Sequence, residues 1–136
     1  MLKFLSDYKK PAYAIFRIFI GLLFLQHGAQ KLFGFFGGID GVGLTPPAFD
    51  QIWWAGIIEL VVGAGIALGI FVRPLAILGL LEMAYAYFSV HQPLGGFPIQ
   101  NQGELALLYF FSFIFIAAKG AKKWSLEKLA LGKEIF

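Results

Sequence analysis

Six ionisable side chains stand in or at the edge of long apolar stretches. Arg17, His27 and Lys31 fall in RIFIGLLFLQHGAQKLFG (17–34), and Glu59 falls in WWAGIIELVVGAGIALGIFV (53–72). Glu82 lies in LAILGLLEMAYAYFSV (75–90), and Glu104 opens the run that starts GELALLY (103–109). Cations, an imidazole and carboxyls together are suited to hydrogen-bonding an oxygen-bearing ligand and exchanging protons with it. They are also expensive in lipid: an ionised side chain at the bilayer centre costs at least ~2.5–3.5 kcal/mol. Such residues must pair across helices in a polar interior, or the acids must be neutral.

The elements that would position them are membrane helices. Hydrophobic residues make up 59% of the chain and charged ones 14%, against about 45–50% and roughly 25% in a soluble domain. The 136 residues, 16 of them Phe, make one domain, residues 1–136. A hydrocarbon core of about 30 Å takes roughly 20 residues at ~1.5 Å each, which gives spans at about 12–36, 49–72, 75–91 and 102–118. Thr45 before Pro46-Pro47 reads as the N-cap of the second span, and Arg73-Pro74 as the break before the third. Gly65 and Gly69 form a GxxxG that reads as close helix packing. Ser125 caps a surface helix at about 125–135, with Trp124 and Leu129 at the spacing of a hydrophobic staple and lysines set to lie among anionic headgroups. The expected fold is all-α, a four-transmembrane-helix bundle with a short C-terminal amphipathic surface helix.

The absence of cysteine excludes disulfides, thiolate nucleophiles and Cys-based zinc or iron–sulfur sites. The loop GFFGGIDGVGL follows no strand and lacks GxGxxG spacing, so it is no nucleotide fingerprint. No metal site and no nucleic-acid partner are expected. Met1 to Tyr13 is polar and basic, and the apolar run after it is too long for the core of a cleavable signal. Lys3, Lys9, Lys10, Arg73, Lys119, Lys122, Lys123, Lys128 and Lys133 fall on one side of the spans. Loops 37–48 and 91–102 hold no lysine or arginine, so both termini are expected to face the cytoplasm.

Depth along the helices suggests partners. At ~1.5 Å per residue, Arg17 and Glu82 come out level, which predicts an inner pair, with Glu59 the alternative partner one turn away. His27, Lys31, Glu59 and Glu104 form a predicted outer cluster. Arg17, Gly21, Phe24, Gly28 and Lys31 share one face of the first span within about 40°. Gly56 and Gly63 flank Glu59, and Gly79 and Ala86 flank Glu82, so a neighbouring helix can approach both acids closely. Each residue also has a local reading: Arg17 and Lys31 can snorkel to the surfaces, and Glu104 can close a capping box with Asn101. His27 can simply bond a neighbouring helix. Glu59 and Glu82 sit mid-span and have no such escape.

Several stretches together resemble the DoxX family of small bacterial membrane proteins: RIFIGLLFLQHGAQKLFG (17–34), GIIELVVGAGIALGIFVRP (56–74), and FPIQNQGELALLY (97–109) leading to KKWSLEK (122–128). The resemblance spans nearly the whole chain and lies in the combination. It joins Arg in the first span, HGxxKLFG at that span's outer end, GxxE in the second, RP at the turn and GE opening the fourth. By this resemblance Arg17, His27, Gly28, Lys31, Glu59 and Glu104 occupy motif positions; Glu82 does not map onto one. The family is described as four-helix integral membrane proteins and is named after a subunit of a thiosulfate:quinone oxidoreductase. Relatives are associated with quinone and catechol stress or with membrane complexes that detoxify oxidants.

The resemblance implies a multi-pass protein of the bacterial inner membrane that works as a quinone-linked subunit, with a bound quinone and no covalent cofactor. A quinone ring needs donors to its oxygens and a proton source: Lys31, His27 or Arg17 would donate, a carboxyl such as Glu59 would supply the proton, and Trp53, Trp54 and the phenylalanines would pack ring and tail. Without cysteine or a nucleotide fingerprint, electrons must come from a soluble or membrane redox partner, so independent enzymatic activity stays open. Haem between His27 and His91 is a weaker reading. A small-solute or proton-coupled transporter, which with four spans would need a homo-oligomer, and a scaffold of paired charges are the alternatives.

Overall fold

The computed structural model describes residues 8–135. Lys3, counted above with the basic residues, lies outside them, as does most of the polar N-terminal stretch. Among the described residues the chain is helical, with one isolated bridge between Gly38 and Leu44. The first helix, α1 (Lys9–Phe33), ends at Gly34, which takes the left-handed conformation (φ 69°) that glycine tolerates.

The second helix, α2 (Gln51–Leu68), starts later than Thr45-Pro-Pro suggested. Its N-cap is Asp50, whose carboxylate accepts from Ile52 N at 2.9 Å. The two prolines hold the preceding backbone extended, and a turn from Pro47 O to Asp50 N closes only afterwards. Gly69, also left-handed (φ 73°), closes α2, so the helix stops four residues before the end of the apolar run. The third helix, α3 (Val72–Ala86), takes Arg73 and Pro74 into its first turn, where proline forfeits no helical bond. The chain therefore reverses at Gly69–Phe71, not at Arg73-Pro74. Beyond Ala86 the helix runs on through a wide π turn (Tyr87–His91) and a 3₁₀ turn (Gln92–Leu94).

After a single turn at Pro98–Asn101 comes α4 (Glu104–Lys119). A short α5 (Leu126–Leu131) is capped by Ser125, whose Oγ accepts from Lys128 N at 3.2 Å. It is shorter than the expected 125–135 because Gly132 turns left-handed (φ 70°) and ends it. Three elements, Lys9–Phe33, Gln51–Leu68 and Val72–Leu94, are long and apolar enough to cross a membrane. With 16 residues, α4 reaches ~24 Å, short of that length.

The four long helices form two hairpins. In the first, the backbones of α1 and α2 touch: a Cβ added at Gly21 would lie 2.5 Å from Ala67 N and 2.8 Å from Gly63 O. A Cβ at Gly28 would lie 2.5 Å from Leu60 N and 2.8 Å from Gly56 O. Two glycines on each helix, seven residues apart, thus set an antiparallel register. In the second hairpin Gly79 of α3 accommodates the Phe113 ring of α4. Gly65 and Gly69 do not form one helix–helix contact; Gly65 faces Leu75 and Gly69 faces Ser125 of the tail. The hairpins meet where Phe24 packs on Tyr109 (ring centroids 5.0 Å) and Phe113 (4.8 Å). Phe19, Leu81, Leu108 and Phe111 point outward and are exposed, a surface suited to hydrocarbon.

Candidate functional site

The glycine register decides which polar groups meet. It sets the start of α1 beside the end of α2, and Arg17 there is 0% exposed. Its guanidinium donates to Ile66 O and to Ala67 O (3.1 Å) in the last turn of α2, and to Lys123 O (3.2 Å) and Trp124 O (2.8 Å) in the tail. Helix-end carbonyls have no partner within their own helix and form the negative pole of its dipole, so a cation is at home among them. The tail is shaped to reach it. Lys122 and Trp124 adopt left-handed φ angles of 58° and 55°, unfavourable for side-chain-bearing residues. Tyr13 Oη donates to Gly120 O (2.6 Å), and Ser125 Oγ to Gly69 O (2.8 Å). The expected inner pair of Arg17 with Glu82 does not form. Nor does Arg17 snorkel: α2 ends early enough to present its own carbonyls.

Near the other end of α1, Lys31 Nζ binds both carboxylate oxygens of Glu59, at 2.6 and 2.5 Å. Helical side chains lean toward their N-terminus, so Lys31 reaches back along α1 to an acid about one turn below it. Glu59 is 4% exposed. The pair lies at the wall of a cavity of about 620 Å³ between the two hairpins. Phe24 and His27 from α1, Ile58 from α2 and Tyr109 from α4 form much of the remaining wall. The His27 ring meets Tyr109 edge-on at 5.9 Å. Exposed Trp54, Tyr85 and Leu105 mark where the cavity opens to the lateral surface. Gln51 Nε2 donates to Tyr85 Oη (3.0 Å), joining α2 to α3 beside that opening.

Glu82 enters this cavity from α3 instead of meeting Arg17, and both its carboxyl oxygens are buried without a hydrogen-bond partner. Of the expected outer cluster, His27, Lys31 and Glu59 are brought together here. Glu104 is not. It is exposed at the first turn of α4 and bonds no described residue, a favourable place for a negative charge. Its capping box is absent because Asn101 spends its side chain on Gly103 N (2.8 Å) and Gly95 O (2.9 Å).

Tyr109, Gln51 and Tyr85 also line the cavity without having been singled out as binding candidates, and His91, weighed only as a haem ligand opposite His27, lines it too. His91 Nδ1 lies 3.0 Å from Asn101 O, a placement made by the π turn. The signal for Tyr109 lay in its being the polar member of an otherwise apolar face of α4.

The DoxX family model matches residues 12–92, which take in α1 to α3 and with them Arg17, His27, Lys31, Glu59, Glu82 and His91. The chain belongs to the DoxX family. It is also similar to an uncharacterized protein of Haemophilus influenzae, 37% identical over 130 residues, or 90% of this chain and 93% of that one. No solved structure matches it. As a DoxX protein with three helices fit to span a bilayer, the chain is a membrane protein. The match ends just after His91, so Glu104 lies beyond it.

Proposed function

We propose that the cavity binds a quinone-type ring and that the chain serves as a quinone-linked membrane subunit of an oxidoreductase or oxidant-detoxifying complex. The supporting observation is the Lys31–Glu59 ion pair set in the wall of an aromatic cavity that opens sideways between hairpins. About 620 Å³ falls within the ~300–1,000 Å³ of small-molecule sites, and a lateral mouth admits a ligand that dissolves in the bilayer. An ammonium carries three N–H donors. Glu59 occupies no more than two of them, which leaves one for a ring oxygen. Trp54, Phe24 and Tyr109 offer flat apolar surface to the ring. When bound, such a ring supplies two-electron redox chemistry; the chain's own residues bind it, orient it and shield it from water.

In this reading all four long helices cross the bacterial inner membrane, α4 with the help of its flanking turns. Both termini face the cytoplasm, as the basic residues of that end require. The electron donor is a separate soluble or membrane protein, since this sequence holds no cysteine. A second copy of the chain is a further candidate partner.

The test is purification in mild detergent followed by mass spectrometry of co-purifying lipids and titration with a short-chain ubiquinone analogue. Co-purified quinone, or saturable binding weakened at least tenfold in Lys31→Met, supports the reading. A preparation that neither carries nor binds such a ring ends it. pH-dependent solute flux into vesicles, lost in Glu59→Gln, would mark a transporter instead.

A further inference from the structure

The two carboxyls of the cavity are in opposite conditions. Glu59 has both oxygens engaged by Lys31. Glu82, on the facing hairpin, has both oxygens buried and neither engaged. A buried polar group without a partner is unfavourable, and a leucine of similar volume at position 82 would remove the penalty entirely. The surroundings of Glu82 offer no local relief. Among the residues lining the cavity, Lys31 is committed to Glu59, and none of His27, Gln51, His91 or Gln102 bonds Glu82. Tyr109, on Glu82's own hairpin, makes ring contacts with Phe24 and His27.

We propose that Glu82 is the carboxyl that hydrogen-bonds the bound ring directly, whereas Glu59 acts only through Lys31 as a positioning residue. The proposal rests on the quinone-type reading of the cavity and adds a division of labour between its two acids. A carboxyl group can accept a hydrogen bond and, when protonated, can also donate one. It therefore complements an oxygen substituent as either carbonyl or hydroxyl. Lys31 lies on the opposite hairpin and offers its spare N–H to the ligand from that side. The class of ligand that satisfies both is a flat apolar ring carrying at least two oxygen substituents. A purely hydrocarbon ring would leave both polar groups as they are.

The experiment compares wild type, Glu82→Gln, Glu82→Leu and Glu59→Gln in detergent, reading thermal stability without ligand and affinity for a short-chain ubiquinone analogue. An amide still donates and accepts, so Glu82→Gln is expected to bind within about threefold of wild type. Glu82→Leu is expected to melt at the same temperature or several degrees higher, since it removes an unsatisfied buried group, yet to bind at least tenfold more weakly. Glu59→Gln is expected to melt lower. If Glu82→Leu binds like wild type, the proposal is overturned while the quinone reading stands. If Glu82→Leu melts well below wild type, Glu82 is a structural group and the proposal is equally overturned. If wild type binds no such analogue, both fall together.

Discussion

Arg17 and Lys31 stand on the same helix about four turns apart and meet opposite fates. Around Arg17 the structure closes: four carbonyls from α2 and the tail converge on one guanidinium. Around Lys31 it stays open. One acid is engaged, a second waits unsatisfied, and a cavity separates the hairpins. The presence of a charge in lipid therefore does not identify a site. The distinction lies in whether open space and an unengaged carboxyl remain beside it; Arg17 does not line the cavity, and there only the guanidinium Nε lacks a partner.

That contrast can be broken at several places. Arg17→Met should have the largest effect, on the order of 4 kcal/mol of stability, because buried carbonyls lose a charged donor and the tail loses its anchor. Proteolysis would reveal it as early cleavage near residues 120–125, and Arg17→Lys should recover only part, lacking the planar fork. An unchanged melting temperature in Arg17→Met would remove the closed half of the comparison. Next in size is Lys31→Met, expected to cost about 2–3 kcal/mol by leaving Glu59 without its cation. The double variant Lys31→Met/Glu59→Leu should be more stable than Lys31→Met alone, and strict additivity of melting shifts would show that the two do not interact.

A smaller loss, about 1–3 kcal/mol, is expected for Gly28→Ala, whose methyl would press on the backbone of α2; unaltered stability would mean the helices can slide apart freely. Asp40 gives the smallest effect, since it lies in an exposed loop. Backbone N–H groups of Leu44 (2.9 Å) and Val42 (3.0 Å) hold its carboxyl below the ordinary value. A depressed folded pKa stabilises the loop above the unfolded value of about 3.9 and is lost as pH falls through the folded one. Amide exchange at Val42 and Leu44 should accelerate only below about pH 4, and Asp40→Asn should abolish that step.

Much of this was legible in the residues, unevenly. The apolar runs announced the helices, and the stripe of Arg17, Gly21, Gly28 and Lys31 announced the face that meets α2. Depth grouped Lys31 with His27, Glu59 and Glu104 without singling out the Lys31–Glu59 pair. Arg17 was misread because its partners are backbone carbonyls, which carry no residue-type signature and become available only where a glycine ends a helix. Glu104 was misread because its direction is set by the turn at Asn101–Gly103. One residue of helical phase there separates the cavity wall from the outside. His91 depended on a local widening of α3 that no periodicity reveals.

That widening, from Tyr87 to His91, deserves its own genetics. A π turn accommodates one residue more than an α-helix would, so everything beyond it is rotated by about 100° relative to an uninterrupted helix. Deleting a single codon within that turn would remove the extra residue, let an ordinary α turn form and leave His91 near its present azimuth. Inserting one residue there would instead carry His91 about 100° around the axis and out of the cavity.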